Sequence, residues 1–434
     1  MNDNLRPNPA PSRRGFLAGM GVLGALGALS AAGCSTTSPS SGNSGTATEA
    51  DKINLYSSVL GEEAQKGAWE TVISGWEAKS GHKIKPVVYP YDQAATQLVL
   101  AAKSGTFLGV GQGPWQQLVP TGILADVSDV TSGMDLPRDV LDSFRVDGRL
   151  YVVPTVSAGI GLVADGRLAS QFRLRPGIST DDFATALEAI KKNDPKIIPY
   201  AAVTKNPDLK DAVHWMWAWG SPVVTTDLKC TIGDAESVAA MNWYKQLQDQ
   251  GLIKAGVART DARILFARGQ AAIYDDAPLA NTFLNTNGGS AELKAHITAL
   301  ERPHVGGKPS YNRWWGNGMF CSSGKGETTS KDFIRYVATD VSAETALYKQ
   351  SATAPADKKV ASRIPGLAGD AFQTAFRTHI SEKSRAAAWD KLATAALIDS
   401  TIGEGVASIL AGQVGVQRGL NDLRDKVQQK LDQK

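Results

Sequence analysis

Residues 53–103 read INLYSSVLGEEAQKGAWETVISGWEAKSGHKIKPVVYPYDQAATQLVLAAK, and this stretch decides the fold class. Strand-like runs at 53–56 and 83–89 each precede a segment whose apolar residues have helical spacing. Gly81 separates the first predicted helix from the second strand. The order β-α-β-α is typical of a largely parallel sheet covered by helices. The positions predicted to face inward are Trp69, Val72, Ile73, Trp76, Leu98, Ala101 and Ala102.

The composition is that of an ordinary globular protein. The chain has 434 residues, of which 42% are hydrophobic and 21% charged. Its formal charge of +3 falls to +1 when residues 1–33 are removed. A near-neutral body gives no reason to expect a nucleic acid as partner. The remaining chain, about 400 residues, is too long for a single core and predicts two domains.

Residues 12–34 have the parts of an export signal in the required order. Arg13 and Arg14 open it, and residues 17–32 carry no charge. The paired arginines resemble the twin-arginine signal. An uncharged run of 16 residues is shorter than the roughly 20 that a bilayer span needs. The ending Ala-Ala-Gly-Cys at Cys34 resembles the lipobox of bacterial lipoproteins.

This signal predicts where the mature protein works. Residues 1–33 are expected to be a twin-arginine lipoprotein signal peptide that is removed after export, leaving Cys34 lipidated. Residues 34–50 are small and polar, which is the composition of a flexible linker. We therefore expect an extracytoplasmic protein, in the periplasm or at the cell surface, that is held at the membrane by its lipid.

Several motifs follow in a recognisable order. Gly-Ile-Leu-Ala-Asp-Val at 122–127 precedes Asp-Gly-Arg-Leu-Tyr-Val-Val-Pro at 147–154, and Phe-Ala-Arg-Gly-Gln-Ala-Ala-Ile occupies 266–273. A strand at 317–321 and a helix at 330–336 complete the series. Their order and spacing resemble the extracellular solute-binding proteins of carbohydrate ABC importers, the maltose-binding type. The resemblance extends over about residues 51–430.

The resemblance implies an α/β, two-lobed periplasmic-binding-protein-like fold. Each lobe would be a mostly parallel sheet flanked by helices, and the lobes would be hinged around a cleft. Crossings between the lobes are expected near Thr155, Pro303 and Val360. The implied segments are 51–157 and 303–360 for the N-lobe, and 158–302 and 361–434 for the C-lobe.

The implied function is capture of a carbohydrate or polyol by closure of the lobes. The protein would act as a monomer and deliver its ligand to an ABC permease served by a separate ATPase. It would make or break no bond and need no cofactor. The family's usual Pro-Asp is replaced by residues 105–108, and its usual Gly-Pro-Trp by residues 275–279, so the ligand of better-known members does not transfer.

Sugar sites need flat aromatic platforms for C–H faces and fixed polar groups for hydroxyls. Ten tryptophans are available, and they are densest at 215–219 and 311–318. At least one of Trp314 and Trp315 is expected to face ligand, whereas the first group can serve the core equally well. The candidate ligand residues are Ser57, Ser58, Gln112, Trp115, Thr155, Ser157, Trp217, Asp275, Asp276, Arg313, Trp314, Trp315, Gly316 and Asn317.

The charged candidates leave alternatives open. Asp275 and Asp276 follow a predicted strand, so one is expected to accept hydrogen bonds in the cleft. Paired carboxylates also occur in glycoside hydrolases, but neighbours on a strand point to opposite faces. Arg313 is either a clamp for the phosphate of a phosphorylated polyol, such as a glycerophosphodiester, or a surface salt bridge. An adhesive lipoprotein without a small ligand is a third possibility.

Metal and disulfide chemistry have little support in the sequence. The five histidines are scattered, and the chain has no His-Glu-x-x-His or Cys-x-x-Cys motif, so no metal site is expected. Apart from Cys34 the chain has Cys230 and Cys321. Twin-arginine substrates usually fold before export in a reducing compartment, so we expect two buried free thiols.

Overall fold

The structure is a computed structural model that describes residues 48–61, 63–90 and 93–433. These residues belong to one unit of the chain, 44–434. The predicted signal peptide, Cys34 and most of the predicted linker lie outside the described residues. Within the described part, no helix is long and apolar enough to cross a bilayer.

Strands and helices alternate along most of the chain. The strands are β1 Lys52–Ser57, β2 Lys83–Val88, β3 Gly109–Gln112, β4 Arg145–Val146, β5 Arg149–Leu150, β6 Val153–Asp165, β7 Ile198–Ala201, β8 Ala271–Asp276, β9 Ile297–Leu300, β10 Asn312–Cys321 and β11 Ser384–Arg385. The first eight helices are α1 Glu63–Ser80, α2 Ala94–Lys103, α3 Arg138–Ser143, α4 Gly166–Gln171, α5 Thr180–Asn193, α6 Val213–Trp219, α7 Ala235–Asp249 and α8 Arg259–Ala267. The others are α9 Ala280–Thr286, α10 Ala291–His296, α11 Glu327–Thr339, α12 Val341–Ser351, α13 Lys358–Ala361, α14 Ala371–His379, α15 Ala395–Leu410 and α16 Val416–Leu431.

The N-lobe is built on the predicted β-α-β-α unit. β1 pairs in parallel with both β2 and β3. α1 and α2 turn their predicted apolar faces to this sheet, with Trp76 and Leu98 each 1% exposed. Burying such faces is the main reason that these segments are stable as helices. The predicted α/β layer at the start of the body is therefore confirmed.

The C-lobe surrounds the parallel pair β7 and β8, with β9 antiparallel to β6 at its edge. Its two core clusters include Leu162 and Val163, neighbours that point to opposite faces of β6. α5 begins as its sequence predicts, because the Ser179 hydroxyl accepts a hydrogen bond from the Asp182 amide. The α/β fold class is confirmed, with parallel strands inside each lobe.

Two long strands join the lobes. In the sheet order β2-β1-β3-β10-β6-β8-β7, β10 and β6 lie at the centre and pair antiparallel over seven positions. β10 begins in the C-lobe, where Arg313 is level with Ile160, and ends beside β3 of the N-lobe. The order of pairing makes β6 and β10 the mechanical link between the two cores.

The structure moves one predicted crossing. Residues 303–311 pack with the C-lobe, since His304 pairs with Ser179 and Tyr311 packs on the C-lobe core. The chain crosses within β10 instead of at Pro303, because the strand that supplies the ladder to both lobes starts only at Asn312. The other lobe boundaries stay predictions.

Cys230 and Cys321, the cysteines of the described residues, are free and buried, as predicted. Cys230 belongs to the C-lobe core and Cys321 to the N-lobe core, so they have no opportunity to pair. Burial raises the pKa of Cys230 to about 11 and also raises that of Cys321. Both thiols are therefore uncharged and unreactive at neutral pH.

Candidate functional site

The carboxyl ends of the parallel strands in the two lobes face each other. β3 ends at Gln112, level with Met319 of β10, and β8 ends at Asp276, level with Gly161 of β6. Because β8 runs opposite to β6, and β6 runs the same way as β3, the two ends meet across the middle of β6. The crevice outside such ends is where α/β sheets place their ligands.

The linking strands have two faces at this crevice. Directly paired residues share a face, and successive residues alternate. We call the face that carries Gln112, Trp315 and Asn317 the front, and the face that carries Ser157 and Trp314 the rear. The structure therefore divides the sequence-predicted ligand residues between two sides of the same pair of strands.

On the front, the N-lobe presents a small polar group. The Ser57 hydroxyl donates to Gln112 Oε1 at 2.6 Å, and the Val59 amide donates to the Ser57 oxygen at 3.1 Å. Gln112 Nε2 donates to no described residue. It is accessible to solvent, so it can donate to a ligand. Ser58 is half-buried beside them. Two strand ends that are 55 residues apart in sequence are thus brought together.

The linking strands add two more polar groups to the front. The Thr155 hydroxyl donates to the carbonyl oxygen of Asn317 at 3.3 Å, which leaves the exposed Asn317 amide for other partners. Thr155 is the extra residue of a β-bulge in β6. Gly316 leaves no room for a side chain, because a Cβ there would lie 2.2 Å from the carbonyl oxygen of Val156.

Two predicted aromatic platforms are core residues instead. Trp115 is 3% exposed and packs edge-on against Phe144 and face-on against Tyr151. Trp217 is also 3% exposed, and its indole donates to the carbonyl oxygen of Pro222 at 3.4 Å. Burial of such large apolar side chains stabilises the folded core. Neither indole is presented to the crevice.

Trp314 and Trp315 have different surroundings. Trp314 packs against the N-lobe core, where its ring meets Phe144 edge-on at 5.4 Å, and its indole donates to the Ser157 hydroxyl at 3.1 Å. Trp315 packs against the C-lobe. Both rings are half-buried, so each can offer part of a face to a ligand.

The two aspartates are engaged in ion pairs. Both oxygens of Asp276 accept from Arg263 at 2.8 Å, and its side chain is 0% exposed. Asp275 accepts from Arg302 at 2.7 Å and from the Tyr200 hydroxyl. The predicted role of a free acceptor in the cleft is corrected here, because a buried carboxylate must keep its counter-ion. The same pairing argues against an acid–base couple for hydrolysis.

Arg313 is neither a ligand clamp nor a surface salt bridge. Its two terminal nitrogens donate to Asp390 at 2.6 Å and to Asp399 at 2.8 Å, and the residue is 7% exposed. Burial disfavours its charge, but the two carboxylates raise the pKa of the guanidinium above its usual range. The prediction of a phosphate clamp at this position is therefore corrected.

The same Asp390 takes part in a contact between the lobes that sequence reasoning missed. Gln116 Nε2, at the start of a 3₁₀ turn of the N-lobe, donates to the Asp390 carbonyl oxygen at 2.8 Å. Asp390 is held in place by Arg313 and by the Ala387 amide. Gln116 follows a predicted residue, Trp115, but nothing in the sequence pointed to Asp390.

The rear contains a cavity of about 710 Å³. Ser157 and Trp314 line it, together with α3 of the N-lobe and α14 of the C-lobe. Its volume suits a small ligand. Neither Ser57 nor Gln112 contributes to its wall, so it does not join the carboxyl ends of the two sheets. The lobes therefore touch directly at Gln116 on one side and leave a gap on the rear.

In the described residues, no three His, Cys, Asp or Glu side chains lie where they could hold a metal ion. Three acidic groups near the crevice are paired with arginines, namely Asp275, Asp276 and Asp390. Neutral polar groups therefore dominate what the front offers to a ligand.

The chain belongs to the family of bacterial extracellular solute-binding proteins, whose sequence profile matches residues 71–374. The family consists of binding proteins and not of enzymes, so the prediction of no catalysis is confirmed, and its extracellular placement agrees with the predicted extracytoplasmic location. A search of curated proteins finds no match.

Solved structures with this fold are numerous. The sugar-binding protein MalE from Xanthomonas citri is 17% identical, with a TM-score of 0.76 over 88% of this chain and 98% of that one. The GacH receptor of Streptomyces glaucescens, solved with acarbose, is 18% identical, with a TM-score of 0.73 over 88% and 98%. A chitin oligosaccharide binding protein is 21% identical, with a TM-score of 0.72 over 88% and 99%. The two-lobed fold expected from the sequence is confirmed.

Proposed function

We propose that this protein is the substrate-binding component of an ABC importer for a carbohydrate or polyol. The ligand would lie on the front, between the Ser57–Gln112 pair and the linking strands at Trp315 and Asn317. The observation that carries this proposal is the meeting of the carboxyl ends of both sheets across β6. Structural neighbours that bind maltose, tagatose and chitin oligosaccharides support the same ligand class.

The front offers the mixture that a sugar requires. Gln112 Nε2, the Ser58 hydroxyl and the Asn317 amide supply neutral donors and acceptors for hydroxyl groups. The half-buried Trp315 supplies an apolar surface for C–H groups. Neutral amides and hydroxyls bind hydroxyl groups without the desolvation cost of free charges.

Binding would act through closure of the lobes. A ligand that contacts both lobes favours the closed state by its extra affinity for that state. The Gln116–Asp390 hydrogen bond joins the lobes directly and would add to this preference. A permease that accepts only the closed shape would then receive loaded protein.

The N-terminal signal gives the proposal its place in the cell. Lipid on Cys34 would hold the protein at the membrane beside its permease, and the linker 34–50 would let the body turn between capture and delivery. Cys34→Ser is expected to release the protein into the soluble fraction with its ligand affinity unchanged. Retention of the variant at the membrane would contradict the lipid anchor.

Isothermal titration calorimetry with a panel of mono-, di- and oligosaccharides and polyols tests the ligand class. We expect at least one member to bind with a Kd in the micromolar range or below, and Gln112→Ala to weaken it about tenfold, as expected for loss of a buried polar contact. Gln117→Ala, at an exposed neighbouring position, is the control. No binding to any member would overturn the carbohydrate assignment.

A further inference from the structure

One arginine of the C-lobe differs from the others around it. Arg259, Arg263, Arg302 and Arg313 each form an ion pair with an aspartate. Arg385 is half-buried and forms no ion pair with any residue in the described part of the chain. A partly desolvated guanidinium usually has a carboxylate partner, so its lack of one needs an explanation.

Two aromatic rings hold the Arg385 side chain. The central carbon of its guanidinium lies 4.3 Å from the ring centre of Trp217 and 4.5 Å from that of Tyr311. Stacking on two rings fixes the plane of the guanidinium but uses none of its N–H groups. Trp217, a predicted ligand residue, instead stacks on the Arg385 guanidinium.

The N–H groups of Arg385 are free to bind. They donate to no described residue, and each of the three side-chain nitrogens is accessible to solvent. An arginine in this state presents several donors in a rigid fork that matches a carboxylate or phosphate. Burial lowers the pKa of Arg385 below its usual value, yet an arginine stays charged at neutral pH.

Arg385 belongs to the front of the linking strands. β11 lies beside β10, and Arg385 is level with Arg313, which shares its face with Trp315 two residues along. Two residues of strand correspond to about 7 Å. From β11 the chain continues to Asp390, the residue that Gln116 of the N-lobe contacts. Arg385 thus stands at the C-lobe end of the front.

We infer that Arg385, clamped between Trp217 and Tyr311, is an anion subsite and that the natural ligand is an acidic carbohydrate or polyol. Its carboxylate or phosphate would pair with the guanidinium, while the rest of the ligand would lie along Trp315 toward Asn317. This inference rests on the proposed function and narrows its ligand class. The phosphorylated ligand that the sequence linked to Arg313 is thereby linked to a different arginine.

Matched pairs of ligands test the inference in calorimetric titrations of the purified protein. The probes are glucose with glucuronate, galactose with galacturonate, and glucose and glycerol with their phosphates. We expect one acidic member to bind at least tenfold more tightly than its neutral partner. Whether the carboxylates or the phosphates show this preference distinguishes the two kinds of anion. Inorganic phosphate and sulfate, tested alone, measure what the anion contributes without the polyol.

Substitutions at Arg385 then locate the effect. Arg385→Gln is expected to abolish the preference for the acidic member, while affinity for the neutral partner changes less than threefold. Arg385→Lys keeps the charge but loses the planar guanidinium, so it is expected to retain part of the preference for the acidic member. Arg424→Gln, at a half-buried arginine of α16 that pairs with the neighbouring Asp425, is the matched control and should leave both affinities unchanged.

The outcomes separate this inference from the proposed function. Neutral sugars that bind as tightly as their acidic partners, or an acid preference that survives Arg385→Gln, would overturn the anion subsite and leave the carbohydrate proposal standing. No binding by any of these probes would overturn the anion subsite, and no binding by any member of the wider panel of sugars and polyols would overturn both. If the glutamine variant does not fold, the ligand pairs measured on the wild type and on Arg385→Lys still test the anion subsite.

Discussion

Glu344 provides a test of the interior of the N-lobe. This glutamate of α12 is 1% exposed, and its Oε1 has no hydrogen-bond partner. Burial, together with the nearby charge of Asp357, raises the pKa of the Glu344 carboxyl well above its usual value. Folded protein therefore holds a proton here at a pH where unfolded protein has released it.

The sign of the pH dependence follows from that difference. For a carboxyl whose folded pKa is raised, the contribution to stability is unchanged below the unfolded pKa and falls as pH rises toward the folded pKa. Each pH unit in that window costs about 1.4 kcal/mol. The free energy of unfolding of the wild type therefore falls with rising pH because of this group.

Glu344→Gln removes the titration and keeps the size of the side chain. We expect the variant to be more stable than the wild type at pH 7, with an advantage that grows with pH, because the glutamine carries no charge at any pH. Urea unfolding at pH 5, 6, 7 and 8 measures it, and subtracting the two proteins cancels all other titrating groups. Glu188→Gln, at an exposed position of α5, is the control. Parallel stability curves for wild type and Glu344→Gln would refute the reasoning.

Two further predictions concern the contact between the lobes and the buried arginine beside it. Gln116→Ala removes the hydrogen bond to Asp390, worth about 1 kcal/mol, so ligand affinity should fall about fivefold and the radius of gyration of ligand-free protein, measured by small-angle X-ray scattering, should rise. An unchanged radius would contradict a role for this bond in closure. Arg313→Met leaves the half-buried Asp390 without its cation and Asp399 with Lys210 alone, and it should cost about 3–5 kcal/mol in urea unfolding, whereas a loss below about 1 kcal/mol would show that the aspartates are solvated.

Local features of the fold were accessible from the sequence. The helical spacing of Trp69, Val72 and Trp76 predicted a buried face, because that spacing depends only on residues within one or two turns. Ser57 and Gln112 were each predicted as ligand residues, and they meet because parallel strands share their carboxyl edge.

The charged candidates failed for the opposite reason. Asp276 finds Arg263 across 13 residues, whereas Arg313 finds Asp390 and Asp399 across 77 and 86 residues. Position at the end of a strand shows that a carboxylate is near a crevice, but not whether a cation already occupies it. Only the packed arrangement of α8, β8 and the chain before α15 fixes those pairs.

The sequence by itself determined the α/β class, the family and the faces of the helices. These properties depend on local spacing and on the order of motifs along the chain. Tertiary structure alone decided which charges are free, that Gln116 touches Asp390, and that Arg385 lies unpaired between two rings. Ion pairing and stacking act over a few ångströms in space, and the residues that they join are far apart in sequence.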